Sequence, residues 1–216
     1  MSCCKAPGFE RHFDRKRVAS DLRDYRAHGP IPTTRALIGA LLRAGVTDGT
    51  LLDIGGGVRA IQYDLLAAGA RAATSVEASP NYLDVARVEA QRHGLADRIR
   101  YETGDFVELA GRISPADIVT LDRVVCCYPD MERLVRLSAE RSRRLYGLVY
   151  PRDRWLMRIA VQTENLFRRL TRSPFRSFVH SVAAIDAVIR SVGFTLRQRL
   201  RTFGWEVVVY ERAAKV

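Results

Sequence analysis

The sequence predicts an α/β fold: a doubly wound, mostly parallel seven-stranded sheet with helices on both faces, an antiparallel last strand and an N-terminal helical arm. Three observations predict it. Short apolar runs alternate with stretches of helical periodicity from residue 50 to residue 192, and such alternation closes as a parallel sheet covered on both sides. The first apolar run stops at three glycines, Gly55, Gly56 and Gly57, just ahead of a helical stretch. The last two runs, 195–201 and 205–212, are separated only by Thr202-Phe203-Gly204, short enough for an antiparallel hairpin.

Each element follows in order. Residues 14–27 form a helix with Val18, Leu22 and Tyr25 on one face. His28-Gly29-Pro30-Ile31-Pro32 breaks it, and Thr33-Thr34 can cap a helix over 35–44. A buried strand over 51–54 meets the glycines, and a helix resumes over 60–68. A second strand, 72–76, ends in Glu77, and Ser79-Pro80 opens a helix over 81–93. The third strand, 98–102, runs into Thr103-Gly104-Asp105, and the fourth, 118–121, ends at Asp122. A helix over 131–140, a fifth strand over 145–150, and helices over 155–170 and 183–192 complete the alternation. Residues 1–32 read as a helical arm or lid and 33–216 as the domain, with 152–180 as a candidate cover on one side of the sheet edge.

At 216 residues the chain suits one domain with a full core. It has no run of about 18 apolar residues to span a membrane, and Met1-Ser2-Cys3-Cys4-Lys5 lacks a signal-peptide core. Four cysteines in two adjacent pairs do not form a secreted disulfide framework, so a reducing cytoplasm is expected. The net charge of +11 is uneven: residues 1–130 balance at 17 basic and 17 acidic, whereas 131–216 hold 18 basic against 7 acidic. That imbalance suits nucleic acid, an anionic membrane or an acidic substrate, and equally a merely solvated arginine face.

Strand, glycine turn and helix together bring bare backbone N–H groups to a ligand. Gly55-x-Gly57-x-x-Ala60 fits a dinucleotide fingerprint, but Asp53 just before it would repel a pyrophosphate. A carboxylate there suits a ligand bearing an amine or hydroxyls. The first four strands all end in acids: Asp53, Glu77, Asp105 and Asp122. In a parallel sheet all four gather at one edge. Glu77, 24 residues after Asp53, can accept both ribose hydroxyls of an adenosine. Asp105 can accept adenine amino hydrogens, with Phe106 against the ring.

These motifs resemble those of class I S-adenosylmethionine-dependent methyltransferases, which share this Rossmann-like sheet. Leu52-Asp53-Ile54-Gly55-Gly56-Gly57 is similar to the first motif and Val76-Glu77-Ala78-Ser79-Pro80 to the second. Gly104-Asp105-Phe106 is similar to the third, and the run from Asp117 to Asp122 to the fourth. The resemblance covers roughly residues 33–212. It implies S-adenosyl-L-methionine as cofactor, with Asp53 near the methionine moiety, Glu77 on the ribose and Asp105-Phe106 at the adenine. Ile54, Gly55, Gly56, Gly57, Ala78, Gly104 and Asp122 complete the implied cofactor site. Arg59 stands where a third glycine is common, either solvated or reaching the cofactor's carboxylate. Within the superfamily, Asp122-Arg123-Val124-Val125-Cys126-Cys127-Tyr128-Pro129 and Phe178-Val179-His180 resemble magnesium-protoporphyrin O-methyltransferases, which methylate a propionate carboxylate. Here cysteines replace a histidine and the segment is one residue longer, so relatedness follows and the porphyrin substrate does not.

Methyl transfer asks chiefly for placement. A carboxylate acceptor needs no base; an alcohol or phenol does. Tyr25, Cys127 and His180 are the candidates on the acceptor side. Adjacent cysteines lack zinc-ligand spacing, so no metal is assigned; Cys126 and Cys127 suit small apolar packing, with a thiol-bound soft metal as the rival. Trp155, Leu156, Ile159, Leu166, Phe167 and Phe175 are expected to wall an acceptor pocket while Arg158, Arg168 and Arg172 face water or an acidic group. The expected activity is methylation of a small molecule at oxygen, with a carboxylate as one such acceptor. Its rivals are a nucleic-acid methyltransferase using the basic third, a nicotinamide oxidoreductase and a non-catalytic cofactor-binding module. Against the first stands the lack of an Asn-Pro-Pro-Tyr-like motif, and against the second that of a Tyr-x-x-x-Lys pair.

Overall fold

The computed structural model describes residues 12–58 and 60–213. Two helices, α1 (Arg15–His28) and α2 (Pro32–Ala44), precede the sheet. Then come β1 (Thr50–Ile54), α3 (Ala60–Ala67), β2 (Ala72–Glu77), α4 (Pro80–Arg92), β3 (Ile99–Thr103) and the short α5 (Phe106–Leu109). β4 (Ala116–Asp122), α6 (Met131–Glu140), β5 (Ser142–Pro151), α7 (Trp155–Leu170), α8 (Val182–Ser191), β6 (Phe194–Arg201) and β7 (Trp205–Arg212) follow.

The sheet order is β3-β2-β1-β4-β5-β7-β6. β1 pairs in parallel with β2 on one side and β4 on the other, while β7 runs antiparallel to both β5 and β6. This is the expected class I methyltransferase topology. The order reverses between β1 and β4, and ligands of such sheets bind beyond the strands' carboxyl ends at that point.

Alternation along β1 divides the core. Leu52 and Ile54 face a cluster with α5, α6 and α8, whereas Leu51 faces α2, α3 and α4. Asp53 shares its face with Leu51, and Thr120 and Asp122 share theirs with Ile118 of that second cluster. Two strand-end acids therefore turn toward α2. That helix packs hard on the sheet: a Cβ at Gly147 of β5 would lie 2.9 Å from Leu37 Cδ1. Its start differs from the sequence expectation. Thr33 and Thr34 do not cap it; the helix begins at Pro32, and both threonines lie buried in its first turn. Proline fits that first position because its ring presets φ and no N–H is lost.

Candidate active site

A cleft opens at the carboxyl ends of β1, β2 and β3. Ile54 and Gly55 leave β1 into it, Glu77 and Ala78 leave β2, and Gly104, Asp105 and Phe106 leave β3. The turn after β4 supplies the facing wall with Val124, Cys127 and Tyr128. Gly55 is obligatory here: its φ is 64° and a Cβ would come within 2.7 Å of Val124 Cγ2. Glycine takes that left-handed conformation at no steric cost, and a side chain there would also force Val124 to move.

The four strand-end acids divide. Glu77 and Asp105 are buried in the cleft wall. Glu77 Oε1 accepts the Ser79 amide (3.0 Å). Asp105 caps α5 by accepting the Val107 amide (2.9 Å), and both its oxygens accept the Tyr128 hydroxyl, at 3.2 and 3.0 Å. A carboxylate has about four lone-pair directions, so capacity remains for a further donor. Asp53 is 0% exposed behind the wall, accepting Thr120 Oγ1 at 2.8 Å. Asp122 accepts the Thr34 hydroxyl. Burial pushes Asp122 up to about 6, with Asp53 adding to the rise while Thr34 and Arg123 oppose it. Neither Asp53 nor Asp122, nor Gly56 nor Gly57, is among the residues lining the cleft. Arg123 takes a left-handed φ of 62° at the strand exit, a strain that clusters at functional sites.

On the far wall, Cys126 and Cys127 are free thiols, 3.8 Å apart and both directed at the Arg123 carbonyl. The hydrogen bond from Cys126, helped by Arg168 and Arg123, holds the Cys127 thiol below its ordinary range, while the same contact pushes Cys126 up. Among the described residues no group of three or more His, Cys, Asp and Glu side chains is placed to hold a metal ion. His180 Nε2 donates to the Tyr128 carbonyl at 2.9 Å, and burial lowers its pKa, so it stays neutral at pH 7. Tyr25 does not line the cleft; it packs against the α2 side of the core, and burial beside Asp64 and Glu89 raises it to about 12.

Phe178 and His180, at the end of the 155–180 segment, lie against this wall. The Phe178 amide donates to the Cys126 carbonyl (2.8 Å). The expected orientation holds only in part. Arg158 and Arg172 face water and Phe175 is buried, but Arg168 is turned inward, its side chain 11% exposed over the Phe175 ring. Trp155, Leu156, Ile159, Leu166 and Phe167 face solvent instead of walling a pocket. The reason is the inner face itself: Asn165 and Arg168 bond Ser177, fixing a polar side inward.

Sequence reasoning missed a bridge of rings. His12 stacks on Phe175 (4.0 Å, 3°), and Phe13 lies between Phe175 (5.8 Å) and Tyr82 of α4 (5.5 Å). Partners 69 and 162 residues apart leave no local signal. The expectation for Arg59 falls outside the described residues, as do Cys3 and Cys4.

A family model described as a methyltransferase domain matches residues 52–142. Magnesium protoporphyrin IX methyltransferase (ChlM) from Synechocystis PCC 6803, with bound SAH, superposes at a TM-score of 0.74 and 17% identity, covering 94% of this chain and 98% of its own. An O-methyltransferase family protein from Burkholderia thailandensis gives 0.68 at 15% identity, covering 94% of this chain and 64% of its own. The cyclase SpnF gives 0.71 at 12% identity, covering 98% and 97%. No curated protein matches the sequence significantly. Because a cyclase shares the fold, the fold does not set the chemistry; the matched domain carries that assignment.

Proposed function

The chain carries a methyltransferase domain in a class I fold, its cofactor S-adenosylmethionine, and from that premise we propose that it methylates an oxygen of a small, acidic acceptor. The observation that supports this is the asymmetry of the cleft lining: Glu77 and Asp105 stand on the β2–β3 side, where a cofactor's hydroxyls and amine would sit, and the turn after β4 faces them with Val124, Cys127 and Tyr128 and no carboxylate.

The residues fit the cofactor. Buried carboxylates at Glu77 and Asp105 favour hydroxyl and amine donors and disfavour a pyrophosphate. Glu77 would hold the ribose hydroxyls, Asp105 and Phe106 the adenine, with Gly104 and Ala78 beside them. Ile54, Gly55, Gly56 and Gly57 would pass under the methionine moiety, which Asp53 and Asp122 support from behind. The cofactor supplies an already activated methyl group. The chain orients the acceptor and excludes water.

No general base is needed. An ionised carboxylate is its own nucleophile at neutral pH. Tyr25 lies off the cleft, His180 is held by a backbone carbonyl, and Cys127 donates to one. Residues 152–180 act as acceptor-side cover, pinned by Phe178 and His180 to the turn after β4. The arm before Pro32 closes the other side through Phe13.

Calorimetry tests the reading. S-adenosylmethionine and S-adenosylhomocysteine should bind, and NAD should not. Asp53→Ala and Glu77→Ala should each weaken binding by about 1–3 kcal/mol, the usual loss when a buried polar group goes unmet. Tight NAD binding, or two unaffected variants, would falsify it. For the acceptor, small carboxylates should turn over, and their methyl esters should not.

A further inference from the structure

Helix α7 presents its apolar face to water. Trp155, Leu156, Ile159, Leu166, Phe167 and Leu170 are all exposed, Trp155 at 67%, Phe167 at 65% and Leu170 at 75%. At about 100° per residue they fall within roughly 120° of arc. Helices of globular proteins bury such a stripe; here no residue of the helix is buried. The hairpin tip extends the patch: Phe203 is 73% exposed and lies under Arg154 (5.8 Å), which precedes α7. Gly204 beside it approaches Met157 of the helix.

Charge decides what covers this face. Arg158 and Arg169 sit beside the apolar arc, and Arg154 and Arg172 stand at the helix ends. Arg158 is paired with Asp153, and inward-facing Arg168 with Glu164. Among the described residues, Arg154, Arg169 and Arg172 have no carboxylate within ion-pair distance. A second copy docked face to face would set these arginines against one another with no acid between them. An anionic surface satisfies them. We propose that α7 and the Phe203 tip form an interfacial anchor that lays the protein on anionic lipid bilayers. Apolar residues with Trp and Phe on one side and arginines flanking them are the composition of helices that lie in the headgroup plane. Long arginine stems reach the headgroups while the apolar side enters the acyl boundary. No described helix is long and apolar enough to cross the bilayer, so the helix lies on it. The anchor borders the acceptor-side wall through Asn165, Ser177 and Phe178, which would open that side of the cleft to membrane-dissolved acceptors.

Flotation of the full chain with vesicles tests this without reference to catalysis. Binding is expected to vesicles containing phosphatidylglycerol and to be weak on phosphatidylcholine alone. Arg169→Ala and Arg172→Ala should each lower the partition coefficient about fivefold at low salt, and Phe167→Asp with Leu170→Asp should abolish flotation. Both apolar side chains are exposed, so the melting temperature should hold; unfolding of the double variant would mean that the face is packed, and would overturn the proposal. Equal binding to both vesicle types, or flotation indifferent to Phe167→Asp with Leu170→Asp, overturns it too. So does a dimer in light scattering that the double variant dissociates while the wild type fails to float.

Discussion

Asp122 shows how far a single side chain departs from its solution chemistry. Its Oδ2 accepts the Thr34 hydroxyl, and Oδ1 is buried with no hydrogen-bond partner among the described residues. Burial leads the rise in pKa from 3.8 to about 6. The folded value lies above the unfolded one, so the native state holds the proton more tightly in that window. The cost of the buried charge is absent below the unfolded pKa and complete above the folded one, and stability falls as pH rises from about 4 to about 6. Asp122→Asn keeps the shape without the charge. It should raise unfolding free energy above pH 6 by as much as about 3 kcal/mol, and by nothing near pH 3, in urea titrations. An equal loss at both pH values would show that the carboxylate carries no such cost. The sequence reveals that an acid ends this strand, as it reveals Glu77 and Asp105. Its protonation is illegible there, because Thr34 lies 88 residues away and acts from a helix whose start the threonines themselves obscured.

At the scale of elements, periodicity marks a helix and its stripe, and sheet alternation then says which side is covered. That suffices for α2 and α6, which border strands they pack on. It fails for α7, where the stripe is plain but a polar clamp on Ser177 turns it outward. The arm is legible as a helix, and its docking is not. Asp14 caps α1 through the Arg17 amide (2.9 Å), Asn81 Nδ2 donates to the Phe13 carbonyl (2.9 Å), and Tyr82 donates to Asp21. His12 completes the dock. Burial, then Arg168 and Arg17, lower it to about 4, while Asp14 and Asp21 pull the other way. Here the folded value lies below the unfolded 6.5. The contribution is whole above pH 6.5 and is lost as pH falls toward 4, the reverse of Asp122. Discounted for partial exposure, it is worth about 1–2 kcal/mol. Hydrogen exchange at amides 13–18, corrected for intrinsic rates, should show protection falling between pH 7 and pH 5. In His12→Phe, which keeps the stack without a titrating group, protection should be flat; an unchanged pH dependence in that variant would assign the effect elsewhere.

Over the whole molecule the +11 charge is partly structural. Arg212 lies over Phe194 and donates to the carbonyls of Ala139, Ser142 and Val192, where α6 and α8 end. Arg144 does the same for Ala44 at the end of α2, and Arg98 for Leu66 in α3. Cations at carbonyl ends of helices satisfy orphan acceptors and oppose the dipole. Such arginines have their donors engaged and their geometry set by the fold. Exposed arginines such as Arg15, Arg71, Arg112 and Arg143 are scattered over the other elements, whereas those around α7 flank apolar side chains. RNA would use the charge and gain nothing from Phe167 or Leu170, whereas a lipid surface uses both. The two polyanions therefore separate on one measurement. RNA affinity should be no tighter than about 1 µM at physiological salt, should fall steeply as salt rises, and should survive the charge-neutral Phe167→Ser with Leu170→Ser, which should weaken flotation, since counterion release alone drives it. Sub-micromolar binding to one defined RNA at physiological salt would instead give the basic third a specific partner, and would replace the small acidic acceptor with a nucleic acid.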